Sequence, residues 1–363
     1  MRWSISFGKI AGIRILMHWT FLLLLAWIVI TEVNKGSNTA AVLLTVGYVL
    51  SIFVCVILHE FGHALMARRY GIETRKVTLL PIGGVASMER MPEKPAQELM
   101  VAIAGPAVNV IIAIIILLFA PFGIGDLFDI ENMQSLTSIT AGNFLYALCL
   151  VNVILVLFNA IPAFPMDGGR VLRALLAFKI ARSKATNIAA VLGQVIGVLF
   201  ILIGFTGNFL LILIGLFVMA GAYSENMMVQ QMEILKGYRV REAMMTNYTI
   251  LHPDDTLKMA VDKLLAGSEN NFLVANNGNV EGILTKEALV EGLQKLKDDV
   301  PISKIMKSEV QAFSVNDQLT EAFLKFQRDK KRQRLYPVME SNVLVGVIDM
   351  ENLQEFLMTR SHS

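Results

Sequence analysis

The constraint that weighs most on this chain is the uneven placement of its apolar sequence. Long apolar runs fill residues 1–224, at 14–33, 39–67, 97–120, 141–161, 188–205 and 208–224, while residues 225–363 carry charges throughout. A helix needs about 20 mostly apolar residues to cross a bilayer. The expected fold is therefore a multi-pass α-helical membrane domain of six spans over 1–224, a linker over 225–237, and a soluble α/β region after it. Charged residues make up only 17% of the 363 positions, against about 25% in soluble proteins, and the deficit falls in the first part. A net charge of +2 leaves no footprint for nucleic acid, so no nucleic-acid partner is expected. Cys55 and Cys149 lie inside apolar runs and suggest no disulfide framework. The first run lacks a small-residue cleavage site and is read as a retained span.

Lys and Arg collect in short loops on the cytoplasmic side. Here they collect near the N-terminus (Arg2, Lys9, Arg14), at 68–96 (Arg68, Arg69, Arg75, Lys76, Arg90, Lys94) and at 162–187 (Arg170, Arg173, Lys179, Arg182, Lys184). The opposite loops hold Lys35 and the acidic Asp126, Asp129 and Glu131. Both termini are thus expected in the cytoplasm.

The second run ends in 58-LHEFGHALMARR-69. An ionisable group in the hydrocarbon region costs about 2.5–3.5 kcal/mol on insertion scales, and three stand here within five residues. Arrival at the interface would account for their tolerance but not for their identity. His59 and His63, at i and i+4, share one helix face. That spacing lets two imidazoles hold one Zn²⁺ with the intervening Glu60 beside its open position. A third ligand is available in 159-NAIPAFPMDGGR-170, where Pro162 and Pro165 should break the fourth span just before Asp167. Such irregular backbone is tolerated at membrane depth where protein or a wet cavity lines it. The same segment also reads as a loop whose aspartate caps a helix over 170–181.

Together 59-HEFGH-63, 81-PIGGV-85, 105-GPAVN-109 and 159-NAIPAFPMDGG-169 resemble the site-2 protease family of intramembrane zinc metalloproteases, in its branch without a PDZ domain. Met166 stands where the family usually has Leu. The resemblance implies His59, His63 and Asp167 as ligands of one Zn²⁺ and Glu60 as general base. It also implies a prokaryotic cell-membrane location and a membrane-anchored or membrane-associated protein substrate. Asn159 is the side chain best suited to support the transition state, or else to satisfy backbone freed at the helix break. Asn109 is read as packing or bonding between helices, and His18 as making a structural hydrogen bond. A β pattern over 74–89 places Gly83, Gly84 and Val85 where an unwound substrate could add as a strand; a plain interfacial hairpin is the other reading.

Residues 238–363 repeat internally, as 238–298 and 299–363. Each half has a Met-containing lead, a β segment, an acidic helix start, a helix, two β segments and a last helix. This resembles a pair of CBS (cystathionine β-synthase) modules, which implies ATP or another adenine nucleotide as ligand and a homodimer through the modules. The family's ribose-binding pattern is incomplete: 282-GILTKEA-288 keeps Thr285 but has Ala288, and 346-GVIDMEN-352 has Asp349 and Asn352. Thr285 and Asp349 are the candidate nucleotide contacts, and a nucleotide-free role in dimerisation or substrate docking is the alternative. The basic run 328-RDKKRQR-334 is read as a solvated surface.

The function expected is regulated intramembrane proteolysis near the cytoplasmic face, with the CBS pair as nucleotide sensor or docking module. A CBS-regulated transporter or channel would need a polar pathway through several spans, whereas the ionisable groups here gather at one depth. A non-catalytic receptor would not need Glu60 between the two histidines.

Overall fold

In the computed structural model, residues 4–81, 83–88, 91–129, 136, 138–267, 269–296, 299–329 and 333–360 are described. The chain divides into two units, Met1–Met227 and Met228–Ser363.

The first unit is built on α2 (Thr39–Arg69), a 31-residue helix capped by Asn38, whose side chain accepts from Ala41 N. Before it come β1 (Ser4–Ile10), β2 (Ile13–His18) and α1 (Thr20–Asn34). The span expected over 14–33 is therefore corrected: its first five residues form a strand. Buried Ile13, Ile15 and Met17 alternate along β2 with less buried neighbours, the period of a strand with one buried face. The sequence hid this alternation because the less buried positions include apolar Leu16. His18 Nδ1 accepts from Thr20 Oγ1 at 2.8 Å, as a structural bond at the strand-to-helix turn.

After α2, β3 (Thr74–Leu80) and β4 (Gly83–Met88) form the expected hairpin. The sheet order is β1-β2-β3-β4, so β4 is an edge strand. β2 runs parallel to β3, with Arg14 opposite Lys76 and Met17 opposite Leu79. Ile13, Ile15 and Val77 pack this sheet on Phe61 and Ala64 of α2, which fixes the hairpin beside the histidine-bearing end of that helix.

The remaining helices are α3 (Pro95–Phe119), α4 (Phe144–Asn159), α5 (Asp167–Ala177), α6 (Arg182–Gly204) and α7 (Phe209–Leu235). Among the described residues, α2, α3, α6 and α7 are long and apolar enough to cross a membrane, while α1 and α4 are shorter apolar helices. Two boundaries differ from expectation. The helix after the proline loop begins at Asp167 and ends at Ala177 rather than covering 170–181, and α6 begins at Arg182. Cys55 and Cys149 are buried free thiols.

The second unit contains two three-stranded sheets. In one, β5 (Ile250–Leu251) is parallel to β6 (Asn271–Asn276), which is antiparallel to β7 (Asn279–Thr285). In the other, β8 (Phe313–Ser314), β9 (Leu335–Glu340) and β10 (Val343–Asp349) repeat that order. Helices α8 (Leu257–Ala266) and α9 (Lys286–Lys295) accompany the first sheet, α10 (Leu319–Asp329) and α11 (Met350–Arg360) the second. The leads are exchanged. Met245 pairs with Val347 of β10, and Lys307 pairs with Ile283 of β7. Gly346 and Gly282 leave room for this: an added Cβ would sit 2.9 Å from Met244 Sδ and 2.7 Å from Met306 Sδ, respectively.

Candidate metal centre

His59 and His63 lie one turn apart on α2, and Asp167 opens α5. All three are buried, and their ligand atoms lie within 4.8 Å of one another. His59 Nε2 is 3.2 Å and His63 Nε2 3.0 Å from Asp167 Oδ2, and the two Nε2 atoms are 3.1 Å apart.

The opposite ring nitrogens decide where the lone pairs point. His63 Nδ1 donates to the carbonyl oxygen of Val101 at 2.7 Å. A carbonyl only accepts, so the proton sits on Nδ1 and the Nε2 lone pair faces the cluster. His59 Nδ1 bonds Asn109 Oδ1. Both partners come from α3, which runs antiparallel to α2 and meets it closely: a Cβ on Gly62 would lie 2.5 Å from Ala104 O. Pro106 has no N–H to offer Ala102 O, next to the carbonyl that takes the His63 bond. Two imidazole lone pairs and a carboxylate oxygen converging in a buried site are a donor set suited to zinc.

Asp167 is held by backbone packing. A Cβ on Gly168 would lie 2.3 Å from Ile161 O, and one on Gly169 2.5 Å from Ala163 C, so the 160–166 loop folds directly over the start of α5. Arg170 pairs with the other carboxylate oxygen at 3.4 Å. Behind the loop, the fully buried Arg173 guanidinium lies 4.8 Å from the Phe164 ring centre. Its Nε donates to Glu98 of α3 and its Nη1 to Glu225 of α7, each at 2.7 Å. Arg173 thereby ties α5 to two neighbouring helices. In sequence Arg173 stands out only as one of the basic residues of the 162–187 segment.

Glu60 is half-buried and faces β4: a Cβ on Gly84 would come within 3.0 Å of Glu60 Cγ. Gly83 and Gly84 lie on that edge strand, and Val85 follows opposite Thr78. Asn159 Nδ2 donates to Leu155 O at 3.0 Å, one turn back on its own helix. Asn109, read as packing or bonding between helices, makes such a bond, from α3 to the candidate ligand His59 on α2, and Asn152 stands behind it. Their residue type in apolar helices was the available clue.

In the second unit a cavity of about 800 Å³ is lined by Asn270, Asn271, Lys286, Glu287, Arg334 and Asp349, among others. Asp349 and Asn352 cap α11 reciprocally, each backbone N–H donating to the other's side chain. Burial pushes the Asp349 carboxyl above the usual aspartate range, and Glu351 and Glu355 push it the same way. Thr285 caps α9, its hydroxyl accepting from Ala288 N. Lys330, Lys331 and Arg332 of the basic run lie outside the described residues, while Arg334 pairs with Glu287.

Comparison with known proteins bears on this geometry. A model of peptidase family M50 matches residues 47–204. A zinc metalloprotease of Methanocaldococcus jannaschii is 39% identical over 285 residues, 78% of this chain and 78% of its own. The chain belongs to peptidase family M50. A Synechocystis sp. protein whose name also describes a zinc metalloprotease is 27% identical across 98% of this chain and 96% of its own. The solved site-2 protease from M. jannaschii covers 62% of this chain and 95% of its own, at 39% identity and a TM-score of 0.45. CBS domain models match 240–295 and 302–359. An M50 unit with four membrane-length apolar helices, followed by a CBS pair, describes an integral membrane protein.

Proposed function

We propose that this chain is an intramembrane zinc endopeptidase that cuts a membrane-anchored or membrane-associated regulatory protein near the cytoplasmic face. The observation that carries this reading is the convergence of the His59 and His63 Nε2 lone pairs on Asp167 Oδ2, with Glu60 between the histidines in sequence. When bound there, zinc would polarise the scissile carbonyl and lower the pKa of a water molecule to about 7. Glu60 accepts the proton of the attacking water and returns it to the leaving amine. One N–H of Asn159 is bonded to Leu155 O, and its second N–H is the one assigned to support developing negative charge.

A helical substrate must unwind before its carbonyls can be reached. Among the described residues β4 is the edge strand that passes Glu60, and Gly83, Gly84 and Val85 are the stretch on which an extended substrate adds as a fifth strand. Val85→Pro should cut proteolysis of a membrane substrate at least about tenfold with zinc retained, by disturbing that edge. Unchanged proteolysis counts against the docking role.

All six apolar helices are assigned as spans. At 1.5 Å per residue the 15-residue α1 and 16-residue α4 reach about 22–24 Å. The shortfall against about 30 Å is met by β2 and by the 160–166 loop, irregular backbone that protein covers. The Lys/Arg bias of the loops supports cytoplasmic termini, and the family resemblance supports a prokaryotic cell membrane. The CBS pair, over 238–298 and 299–363, is the regulatory part. Its cavity is of a size that takes a nucleotide, with Asp349 lining it and Thr285 assigned to the equivalent place in the first module. The modules are also the assigned homodimer contact.

The test compares purified wild type with Glu60→Gln for zinc content and for cleavage of single-span membrane substrates, with and without ATP. The variant should hold about one zinc per chain and lose cleavage by at least about a hundredfold. A wild type without zinc would favour a CBS-regulated transporter or a non-catalytic receptor instead.

A further inference from the structure

His59 and His63 have their ring protons placed by different means. For His63 the partner is a backbone carbonyl, which can only accept. For His59 the partner is a side-chain amide, which presents an acceptor on one side and a donor on the other. If Asn109 turned over, its NH₂ would face His59 Nδ1, and the ring proton would move to Nε2, on the side a metal has to use.

The orientation of Asn109 is fixed from a distance. Asn109 Nδ2 donates to Asn152 Oδ1 at 2.8 Å. Asn152 Nδ2 donates to Leu148 O, also at 2.8 Å, and reaches Cys55 Sγ at 3.4 Å. Leu148 O cannot donate, so Asn152 must turn its NH₂ toward it and its Oδ1 toward Asn109. Asn109 must then give its NH₂ to Asn152 and keep its oxygen for His59. Reversing Asn152 would set two carbonyl oxygens against each other, with no water to intervene, since Asn109 and Asn152 are both fully buried. Two asparagines that served helix packing alone could bond each other in either sense. The anchor at Leu148 O selects one.

We propose that Asn152 is a positioning residue of the metal centre: through Asn109 it holds His59 in the tautomer whose Nε2 lone pair faces His63 and Asp167. The inference rests on the zinc reading above, and it concerns a residue that touches neither metal nor substrate.

The test measures zinc affinity of the full-length protein in detergent by chelator competition, so that no cleavage assay is needed. Asn152→Leu keeps the volume and removes the acceptor; it should weaken zinc binding about tenfold to a hundredfold, the usual range for a lost partner behind a metal ligand. The same substitution is then made in an Asn109→Asp background. A carboxylate shows His59 an acceptor whichever way it turns, so there Asn152→Leu should cost less than about threefold. Equal losses in the two backgrounds would mean that Asn152 only packs, and would overturn the proposal. Asn152→Asp covers the case in which the leucine variant does not fold. Protonated, it offers an O–H to Leu148 O and a carbonyl to Asn109, so affinity should stay within about threefold of wild type; a tenfold loss overturns the proposal. A wild type that binds no zinc would overturn this inference and the function together. A wild type that binds zinc, with Asn152→Leu equal to it, would overturn the relay alone.

Discussion

At Gly105 an added Cβ would stand 2.2 Å from His63 Nε2 and 2.5 Å from Cε1. No rotation of a methyl group relieves such an overlap, and the ring cannot retreat without breaking its 2.7 Å bond to Val101 O. Gly105→Ala should therefore lower zinc affinity by at least about tenfold while leaving the apolar helices intact. Gly47 provides the contrast on α2, since a Cβ there meets nothing within 4 Å. Gly47→Ala should keep wild-type zinc affinity and gain up to about 1 kcal/mol of helix preference. Chelator titration of the two variants side by side separates them, and equal affinities would refute the packing argument. At this scale the sequence showed what local spacing can show. His59 and His63 announce a common face through the helix period, and Asp167 stands out beside two prolines in an apolar chain. Asn109 and Asn152 had no such context. They lie 43 residues apart, and each has a local explanation as a polar residue tolerated between helices.

The helices are joined by charge as well as by apolar contact. Arg173 of α5 is fully buried between Glu98 of α3 and Glu225 of α7, and Arg182 pairs with the other oxygen of Glu98 at 3.3 Å. Removing one partner from such a group strands the others, at a cost of about 3–5 kcal/mol. Arg173→Met, close in volume and without charge, should lower the unfolding temperature in detergent by about 6–20 °C. It should also loosen zinc, because Asp167 is the first residue of the same helix. Arg173→Lys should fall between, since one ammonium cannot reproduce the fork that reaches both carboxylates. A melting point unchanged by Arg173→Met would remove this network from the account. The apolar runs made most of these helices legible. Their edges were not, where a strand and a helix share one apolar run: β2 and α1 could not be told apart until the burial of Ile13, Ile15 and Met17 revealed a period of two. Asp-Gly-Gly likewise concealed the start of α5, because glycines argue against helix in isolation. Here they are required by the loop packed over them.

The chain as a whole joins two units shaped by different solvents, and the second depends on an exchange that a repeat alone does not disclose. Leu235 and Val240, in the lead to the sheet of the first CBS module, are buried in a core with Phe313, Phe323 and Tyr336 of the second. Ile302 and Met306, in the lead to the sheet of the second, pack with Leu257, Phe272 and Leu284 of the first. Backbone bonds follow the same crossing, from Val240 N to Asp317 O at 3.0 Å and from Ile302 N to Asp255 O at 2.9 Å. Each module thus completes its core with the lead of the other, and neither half holds all the side chains that its own sheet buries. A fragment of residues 228–363 should unfold in one cooperative transition, with circular dichroism and tyrosine fluorescence changing together. A fragment of residues 228–298 contains the first sheet but lacks Ile302, Met306 and the strand partner at Lys307; it should show no cooperative melt. The reciprocal fragment of residues 299–363 should fail likewise, because Leu235 and Val240 are missing from its core. Mixing the two fragments should restore a folded complex, since the crossing contacts need no covalent link between residues 298 and 299. Independent melting of either fragment at the temperature of the intact pair would show that the exchanged leads contribute little. In that case each module would have to hold its sheet with Gly282 or Gly346 uncovered by the methionines that pack over them here.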